Sequence, residues 1–260
     1  MADFDPNTPS IARVYDLVLG GKNNFAADRE FAERLLALIP LVPVVAVENR
    51  QFLSRAVTWA ANQGIGQFID LGCGLPTSPS THESAQAIDG DARVVYVDND
   101  PAVVDHLPAL LAKGAPGVRF VDSDVRDVAA VLDGARAALD LSTPVCLVAG
   151  YLLHFFTADA GRDMMGGYAA ALAPGSCLVL SVLQGDGEAA DEGMKTYSSR
   201  AAPVYNHPVP EVVSFFGPLE LVPPGLVEAR HWDAGSCLPN SPPRGNHVIG
   251  GIGRKRSADG

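Results

Sequence analysis

Three aspartates stand where short apolar runs end: Asp70 in "FIDLGCGLPT", Asp98 in "RVVYVDND" and Asp124 in "VRFVDSDV". A carboxylate at a strand end can hold an ammonium group, accept both hydroxyls of a ribose, or accept from an exocyclic amine such as that of adenine. Gly72 and Gly74 flank Cys73 directly after the first run. Glycine permits φ > 0 and close backbone approach, so this loop can wrap the polar end of a ligand. Asn99 follows the second acid, and the fourth apolar run, "PVCLVAG", brings Ala149 and Gly150 to the same kind of position. His154 in "LLHFF" comes just after it and is the best-placed candidate for a general base. Each feature has a plain alternative. A glycine pair can be only a turn, a strand-end acid can cap the next helix, as Asp100 before Pro101 does, and His154 can be a packed residue satisfied by backbone.

Taken together and in order, the acids outline an adenosine-shaped ligand. A dinucleotide site would need a third small residue bringing a helix N-terminus onto a pyrophosphate, whereas "GCGLPT" has Thr77 at that place and Pro76 inside the loop. Asp70 would repel phosphates but suits an ammonium. Adenine, ribose and an amino-acid tail fit better than NAD, and S-adenosyl-L-methionine carries all three.

The elements that position these residues alternate. From residue 67, β-rich runs give way to helical ones: "QFIDL" then "SPSTHESAQAI", "RVVYVD" then "PAVVDHLPALLA", "VRFV" then "DVRDVAAVLDGARAAL", "PVCLVAG" then "TADAGRDMMGGYAAALA", and finally "SCLVLSVL". Near-continuous Val, Leu and Ile runs suit strands buried on both faces of a parallel sheet, and the alternation predicts an α/β fold with right-handed crossovers. After residue 184 order loosens into a weakly helical polar stretch, a short helix "VPEVVSFF" and terminal strands in "LELV", "GLVEARHW" and "NHVIGGIGRK", the last two joined by "DAGSCLPNSPPRG". Before residue 67, apolar stripes predict helices over 27–39, ended by Pro40, and over 44–64, ended at Gly64. Residues 1–66 therefore form a helical extension or lid, and residues 67–260 an α/β core, within one structural domain.

Composition narrows the partners. Nineteen Lys and Arg against 30 Asp and Glu leave a formal charge of −11, which argues against nucleic acid and anionic membranes. The basic run "GRKRS" reads as a solvated tail. None of the four cysteines lies in a CxxC pair or at metal-ligand spacing beside a histidine, so no metal is expected; Cys146 and Cys177 sit in apolar runs as core residues. With no signal-like N-terminus and no apolar run near the ~20 residues of a membrane span, the chain reads as soluble and cytoplasmic.

The whole chain resembles a family of bacterial S-adenosylmethionine-dependent methyltransferases whose substrates are mostly unassigned. "PSIARVYDLVLGGKNNFAADREFAERLL" is similar to that family's N-terminal signature, and "ENRQFLSRAV", "FIDLGCGLPT", "THESAQ", "RVVYVDNDP", "LLHFF" and "LELVPPGLVEARHW" follow in its order. Cys73 departs from the threonine or serine more usual there. The resemblance implies a Rossmann-like class I fold: seven strands, mostly parallel, with the last antiparallel. It implies that Asp70, Gly72 and Gly74 line the methionine tail, Asp98 holds the ribose, Asp124 with the Val125 amide reads adenine, and Ala149 and Gly150 back the sulfonium. Arg13, Tyr15, Lys22 and Asn24 form the expected lid over cofactor or substrate; against this, Gly20-Gly21 can be a bare helix cap and Lys22 a solvated lysine. His82 could reach the cofactor pocket from the helix after the glycine loop, although packing and capping there are the simpler role.

Methyl transfer is an in-line displacement at an activated carbon, so alignment and desolvation can supply up to about 7–11 kcal/mol of the barrier reduction. A base is needed only for a protonated hydroxyl or amine. The expected acceptor is a small molecule, with Tyr197, Tyr205 and His207 in the looser segment as candidate contacts. A non-catalytic S-adenosylmethionine-binding protein is the alternative, and an NAD(P)-dependent oxidoreductase a more distant one. The N-terminal helices could cover the pocket or form a homodimer contact.

Overall fold

In the computed structural model, residues 5–111, 116–233 and 246–256 are described. Cys237 and nearly all of the turn-rich segment before the last strand lie outside them. Three helices come first: α1 (Ile11–Val18), α2 (Ala26–Leu38) and α3 (Val42–Asn62). The alternating region then forms β1 (Gln67–Leu71), α4 (Thr81–Gln86), β2 (Arg93–Asp98), α5 (Pro101–Leu111), β3 (Val118–Asp122), α6 (Val128–Arg136), β4 (Cys146–Gly150), α7 (Ala158–Ala171) and β5 (Cys177–Gly185). Two further helices, α8 (Glu188–Arg200) and α9 (Val209–Ser214), precede short strands β6 (Glu220–Leu221) and β7 (Val227–Glu228) and the long β8 (Asn246–Arg254).

The sheet runs β3-β2-β1-β4-β5-β8-β6. The first five strands pair in parallel, and β8 pairs antiparallel with β5 along its whole length. This is the expected doubly wound sheet with an antiparallel final strand. The outermost position is an interrupted strand: β6 meets β8 at Arg254 and Gly253, and β7 meets it again at Gly250 and Ile249. Pro223 and Pro224 lie in the gap, where proline lacks the N–H that a ladder needs. Eight strand segments thus fill seven positions. "GLVEARHW" contributes only two strand residues before turning into a 3-10 helix at Ala229–His231.

Strand alternation splits the core into two layers. Ile69, Leu71, Val95, Val97 and Leu147 pack towards Val131, Met165, Tyr168 and Phe215 of α6, α7 and the α9 end. Phe68, Val94, Cys146, Val148 and Cys177 pack towards Phe52, Ala56, Val57 and Ala60 of α3. Both faces are covered, which is why the strands read as continuous apolar runs. Cys146 and Cys177 are fully buried free thiols on neighbouring strands. The helix starts are chemically marked. Ser80 and Glu83 form a reciprocal capping box on α4, Thr157 caps α7, and Asp127, not Asp124, caps α6. Asp100 accepts from the Ala102 amide at the start of α5, with Pro101 in the first turn. Asp124 does not cap and pairs with Arg126 at the sheet edge instead.

Candidate active site

The carboxyl ends of β1 to β4 open into one large cavity, about 730 Å³ in volume, roofed by α1 and the segment before it, by the end of α2 and the loop after it, and by α3 and α8. Asp70, Gly72, Gly74, Asp98, Asn99, Asp124, Val125 and Gly150 line it, together with Arg13, Tyr15, His154 and Tyr197. The elements that were read separately along the chain therefore meet at one place. Six other expected site residues do not line this cavity. Ala149 is wholly buried in the core beside it. Lys22 and Asn24 line a separate, smaller pocket of about 260 Å³ with His106 and Ala102. His82 is engaged with Tyr96 Oη at 2.8 Å and Ser80 Oγ at 3.0 Å, bracing the first turn of α4. His207 is buried, its Nδ1 3.0 Å from Glu211 and its Nε2 3.1 Å from the Phe156 carbonyl, and Tyr205 stacks against it.

The glycine loop is built for close approach. Gly72 and Gly74 adopt φ of 61° and 65°, a region costly for residues with a Cβ. Asp98 locks the loop: its Oδ2 accepts from the Gly74 amide at 2.8 Å and its Oδ1 from the Asp100 amide at 2.9 Å. Burial raises the Asp98 carboxyl above its ordinary range despite these amides. Asp70 lies beneath the loop, where Thr81 Oγ1 donates to it at 2.5 Å. Burial pushes Asp70 up to about 6, against the pull of the Thr81 hydroxyl and the nearby Arg50. A buried carboxyl of this kind has much to gain from an incoming cation. Asp124 lines the cavity and is held by the Arg126 side chain and amide, which lower its pKa.

Three wall residues carry no local sequence signal. Arg50 on α3 hangs by its Nη2 on the carbonyls of Thr77 and Pro79, at 3.3 and 2.8 Å, while its buried Nε has no protein partner. Asn49 donates to Tyr15 Oη at 3.0 Å and accepts from Ser181 Oγ at 2.6 Å. Tyr151, with φ of 58°, is the one non-glycine residue of positive φ among the described residues; its amide is fixed by Ser181 oxygens at 2.9 and 3.0 Å. Strain of that type is worth about 1–3 kcal/mol and survives where surrounding bonds impose it.

The N-terminal signature folds around two buried acids. Gly21 has no room for a side chain, since a Cβ there would fall 2.1 Å from the Asp16 carboxylate, which accepts from the Asn23 amide at 3.0 Å. Asp28 receives the Ser10 amide, the Phe25 amide and Arg13 Nε, at 3.0, 2.8 and 2.8 Å. Arg13 thus both lines the cavity and anchors the segment that covers it. Ser10 Oγ ties the same segment to Asp100 at 2.6 Å.

The wall chemistry fits S-adenosylmethionine. A buried carboxyl in need of a cation and an unpartnered guanidinium Nε flank a loop that admits close approach, and two further carboxylates stand at the next strand ends. The pH response follows from Asp70. Below about pH 6 its carboxyl is protonated and cannot hold an ammonium, so S-adenosylhomocysteine affinity is expected to fall as pH drops from about 7 to 5. 5′-Methylthioadenosine lacks the amino-acid end, so calorimetric affinity ratios of the two ligands isolate this group, and Asp70→Asn should make the ratio flat. As a stability term the sign is that of a raised acid. Asp70 favours the fold most below its unfolded pKa of 3.8, and that contribution is lost as pH rises through about 6.

Among the described residues, no helix is long and apolar enough to cross a membrane, and no group of three or more His, Cys, Asp or Glu is arranged to hold a metal. Among curated proteins, none matches the chain. A sequence profile of the S-adenosyl methyltransferase family matches residues 1–256. A crystal structure of a Thermobifida fusca protein, provisionally assigned as a methyltransferase, is similar at 40% identity and a TM-score of 0.90, covering 96% of each chain. A DUF574 family protein from Streptomyces avermitilis is similar at 33% identity and a TM-score of 0.87, covering 96% of this chain and 99% of its own. The S-adenosylmethionine-dependent methyltransferase SibL, at 16% identity and a TM-score of 0.50, shares the fold, over 98% of this chain and 70% of its own. With a profile match over nearly its full length and a strand-end cavity suited to the cofactor, the chain belongs to the S-adenosyl methyltransferase family and is an S-adenosylmethionine-dependent methyltransferase.

Proposed function

We propose that this methyltransferase acts on a small-molecule acceptor, held beside the cofactor in the cavity at the strand ends. The observation that carries this reading is the single cavity of about 730 Å³, lined both by the strand-end carboxylates and by apolar and aromatic residues of α1, α3, α8 and the loop after β4. A cavity of this size suits small ligands, which are typically enclosed in roughly 300–1,000 Å³.

Residue roles follow from chemistry. Asp70 takes the α-ammonium and Arg50 Nε the carboxylate of the amino-acid end. Asp98 accepts from the ribose hydroxyls beside Asn99. Asp124 and the Val125 amide face adenine. The cofactor supplies a methyl group on a positively charged sulfonium; the chain's own work is to align the acceptor, exclude water and receive the acceptor's hydrogen bond. Tyr15 and Arg13 belong to the cover that excludes water.

Label transfer tests the acceptor class. Methyl-labelled S-adenosylmethionine is incubated with the protein and a fractionated bacterial extract. Label is expected in the small-molecule filtrate. Label confined to protein or nucleic acid would overturn the small-molecule reading, and intact cofactor binding without any transfer would favour the non-catalytic alternative. Arg50 has its own test. Losing one charge-assisted bond costs about 1.5–3 kcal/mol, so Arg50→Gln should weaken S-adenosylhomocysteine about 10- to 100-fold. 5′-Methylthioadenosine should bind the variant normally; equal losses for both ligands would remove Arg50 from the carboxylate.

A further inference from the structure

One set of side chains in the cavity lining is aromatic. Tyr15, Tyr151, His154, Phe155 and Tyr197 all belong to it, and their rings form an unbroken series with centroid separations of 5.6, 4.8, 4.3 and 6.0 Å. Every Asp, Glu, Lys or Arg in the cavity lining comes from residues 5–126, whereas the lining from 150 to 204 has none. Leu183, Met194 and Val204 complete that side. Within this wall Asn49 and Tyr15 bond each other, and Asn49 also bonds Ser181. His154 is buried, and its Nδ1 has no hydrogen-bond partner. An orphaned buried ring nitrogen costs free energy, and His154 is the ring of this wall that carries one.

We infer that the methyl acceptor is a flat, uncharged aromatic molecule carrying a hydroxyl or ring N–H, bound against these rings with that group paired to His154; the inference rests on the methyltransferase reading above. Aromatic faces and edges recognise a planar ring by stacked or edge-on packing. A charged acceptor would be desolvated against the lining from 150 to 204, which offers no opposite charge; the charges that reach the wall, Arg50 at Tyr15 and Glu48 at Tyr151, come from α3. Burial, with His207 nearby, holds His154 down to about 3, so its ring stays neutral and offers one donor and one acceptor. In the transfer, the sulfonium–methyl bond breaks as the methyl bond to the acceptor's oxygen or nitrogen forms. The sulfonium becomes a neutral thioether, and the acceptor's proton passes through the His154 hydrogen bond to water. So weak a base does not keep it.

The experiment is saturation-transfer NMR and calorimetry with four probes: 2-naphthol, indole, cyclohexanol and benzylammonium. Each is tested on the full chain with and without S-adenosylhomocysteine. 2-Naphthol and indole are expected to bind the S-adenosylhomocysteine complex at least about tenfold more tightly than cyclohexanol or benzylammonium, a gap of about 1.4 kcal/mol. Phe155→Leu and Tyr197→Leu keep apolar bulk and remove a ring. They should weaken 2-naphthol about tenfold while S-adenosylhomocysteine affinity stays put, which also certifies folding. His154→Phe should weaken 2-naphthol yet spare naphthalene. Equal binding of cyclohexanol, preference for benzylammonium, or naphthol binding indifferent to both ring removals would overturn the inference. Failure of S-adenosylhomocysteine itself to bind would instead sink the cofactor assignment. Aromatic probes that still bound selectively would then support the ring-lined pocket on its own.

Discussion

Asp98→Ala is expected to raise the dissociation constant for S-adenosylhomocysteine by about a hundredfold or more, the largest single loss in the cofactor half of the site. Two effects add. The carboxylate is the group at the end of β2 able to accept from both hydroxyls of a ribose, and charged hydrogen bonds are worth about 1.5–3 kcal/mol each. It also holds the glycine loop in place, since Gly74 and Asp100 both donate their amides to it. Alanine leaves those amides unpaired and loosens the loop that must lie against the ligand. Asp98→Asn separates the two effects only in part: one oxygen still accepts, while its NH₂ faces a backbone N–H. It should fall between wild type and alanine. Titration of both variants with S-adenosylhomocysteine and with adenosine checks this, because the ribose is common to the two ligands. An alanine variant that bound both within about threefold of wild type would remove Asp98 from the ribose. A normal adenosine affinity with a lost S-adenosylhomocysteine affinity would move its role to the loop alone.

How far the site could be read beforehand depends on whether a residue's partners are local. The strand-end acids are legible because the strand, the acid and the glycines are contiguous, and a doubly wound sheet brings all such ends to one edge. Arg50 and Asn49 lie mid-helix on α3, where periodicity marks Phe52 and Ala56 as core but is silent on which polar residues reach the loop after β1 and Ser181 on β5. That depends on how α3 crosses the sheet, which no stretch of sequence contains. Tyr197 can be placed in the wall only once α8 is known to pack against α2, where its ring meets Phe31 edge-on. His207 shows the reverse case. Its position in a loose aromatic-rich stretch suggests a ligand contact, yet it ties the loop after β4 to α9 through the Leu153 and Phe156 carbonyls and Glu211. It steadies the segment carrying His154 from behind. The interrupted edge strand was half legible: Pro223-Pro224 announces a break, but not that the chain rejoins the same partner strand four residues later.

Asp28→Ala is expected to be the most destabilising substitution in the N-terminal cover, costing about 3–5 kcal/mol, because it removes the buried carboxylate paired with a buried guanidinium. Asp28 is fully buried, and Arg13 is buried against it. The loss exceeds that of the ion pair alone. The same carboxylate accepts the amides of Ser10 and Phe25, which position the starts of α1 and α2. In sequence Asp28 is merely an acid in the first turn of a helix; in the fold it is the knot joining both helix starts. Arg13 has other acceptors, the carbonyls of Thr8 and Asp5 at 2.6 and 3.3 Å, and the Asp5 carboxylate feels its charge, but Asp28 is the buried acid bonded to the guanidinium. Two measurements give the result its meaning. Urea unfolding reads the stability loss, and amide exchange shows where it falls. If the cover opens separately from the sheet, amides of α1 and α2 should lose protection while those of β1, β2 and β4 keep theirs, and cofactor affinity should weaken because Tyr15 and the Ser10–Asp100 link no longer close the cavity. Uniform loss of protection would make the cover inseparable from the core. Arg13→Met with Asp28→Leu decides what the ion pair itself is for. Apolar replacement of a buried pair can restore stability, so a double variant that folds well yet binds S-adenosylhomocysteine poorly would assign the pair to holding the cover over the cofactor. Restored stability with restored binding would assign it to packing alone.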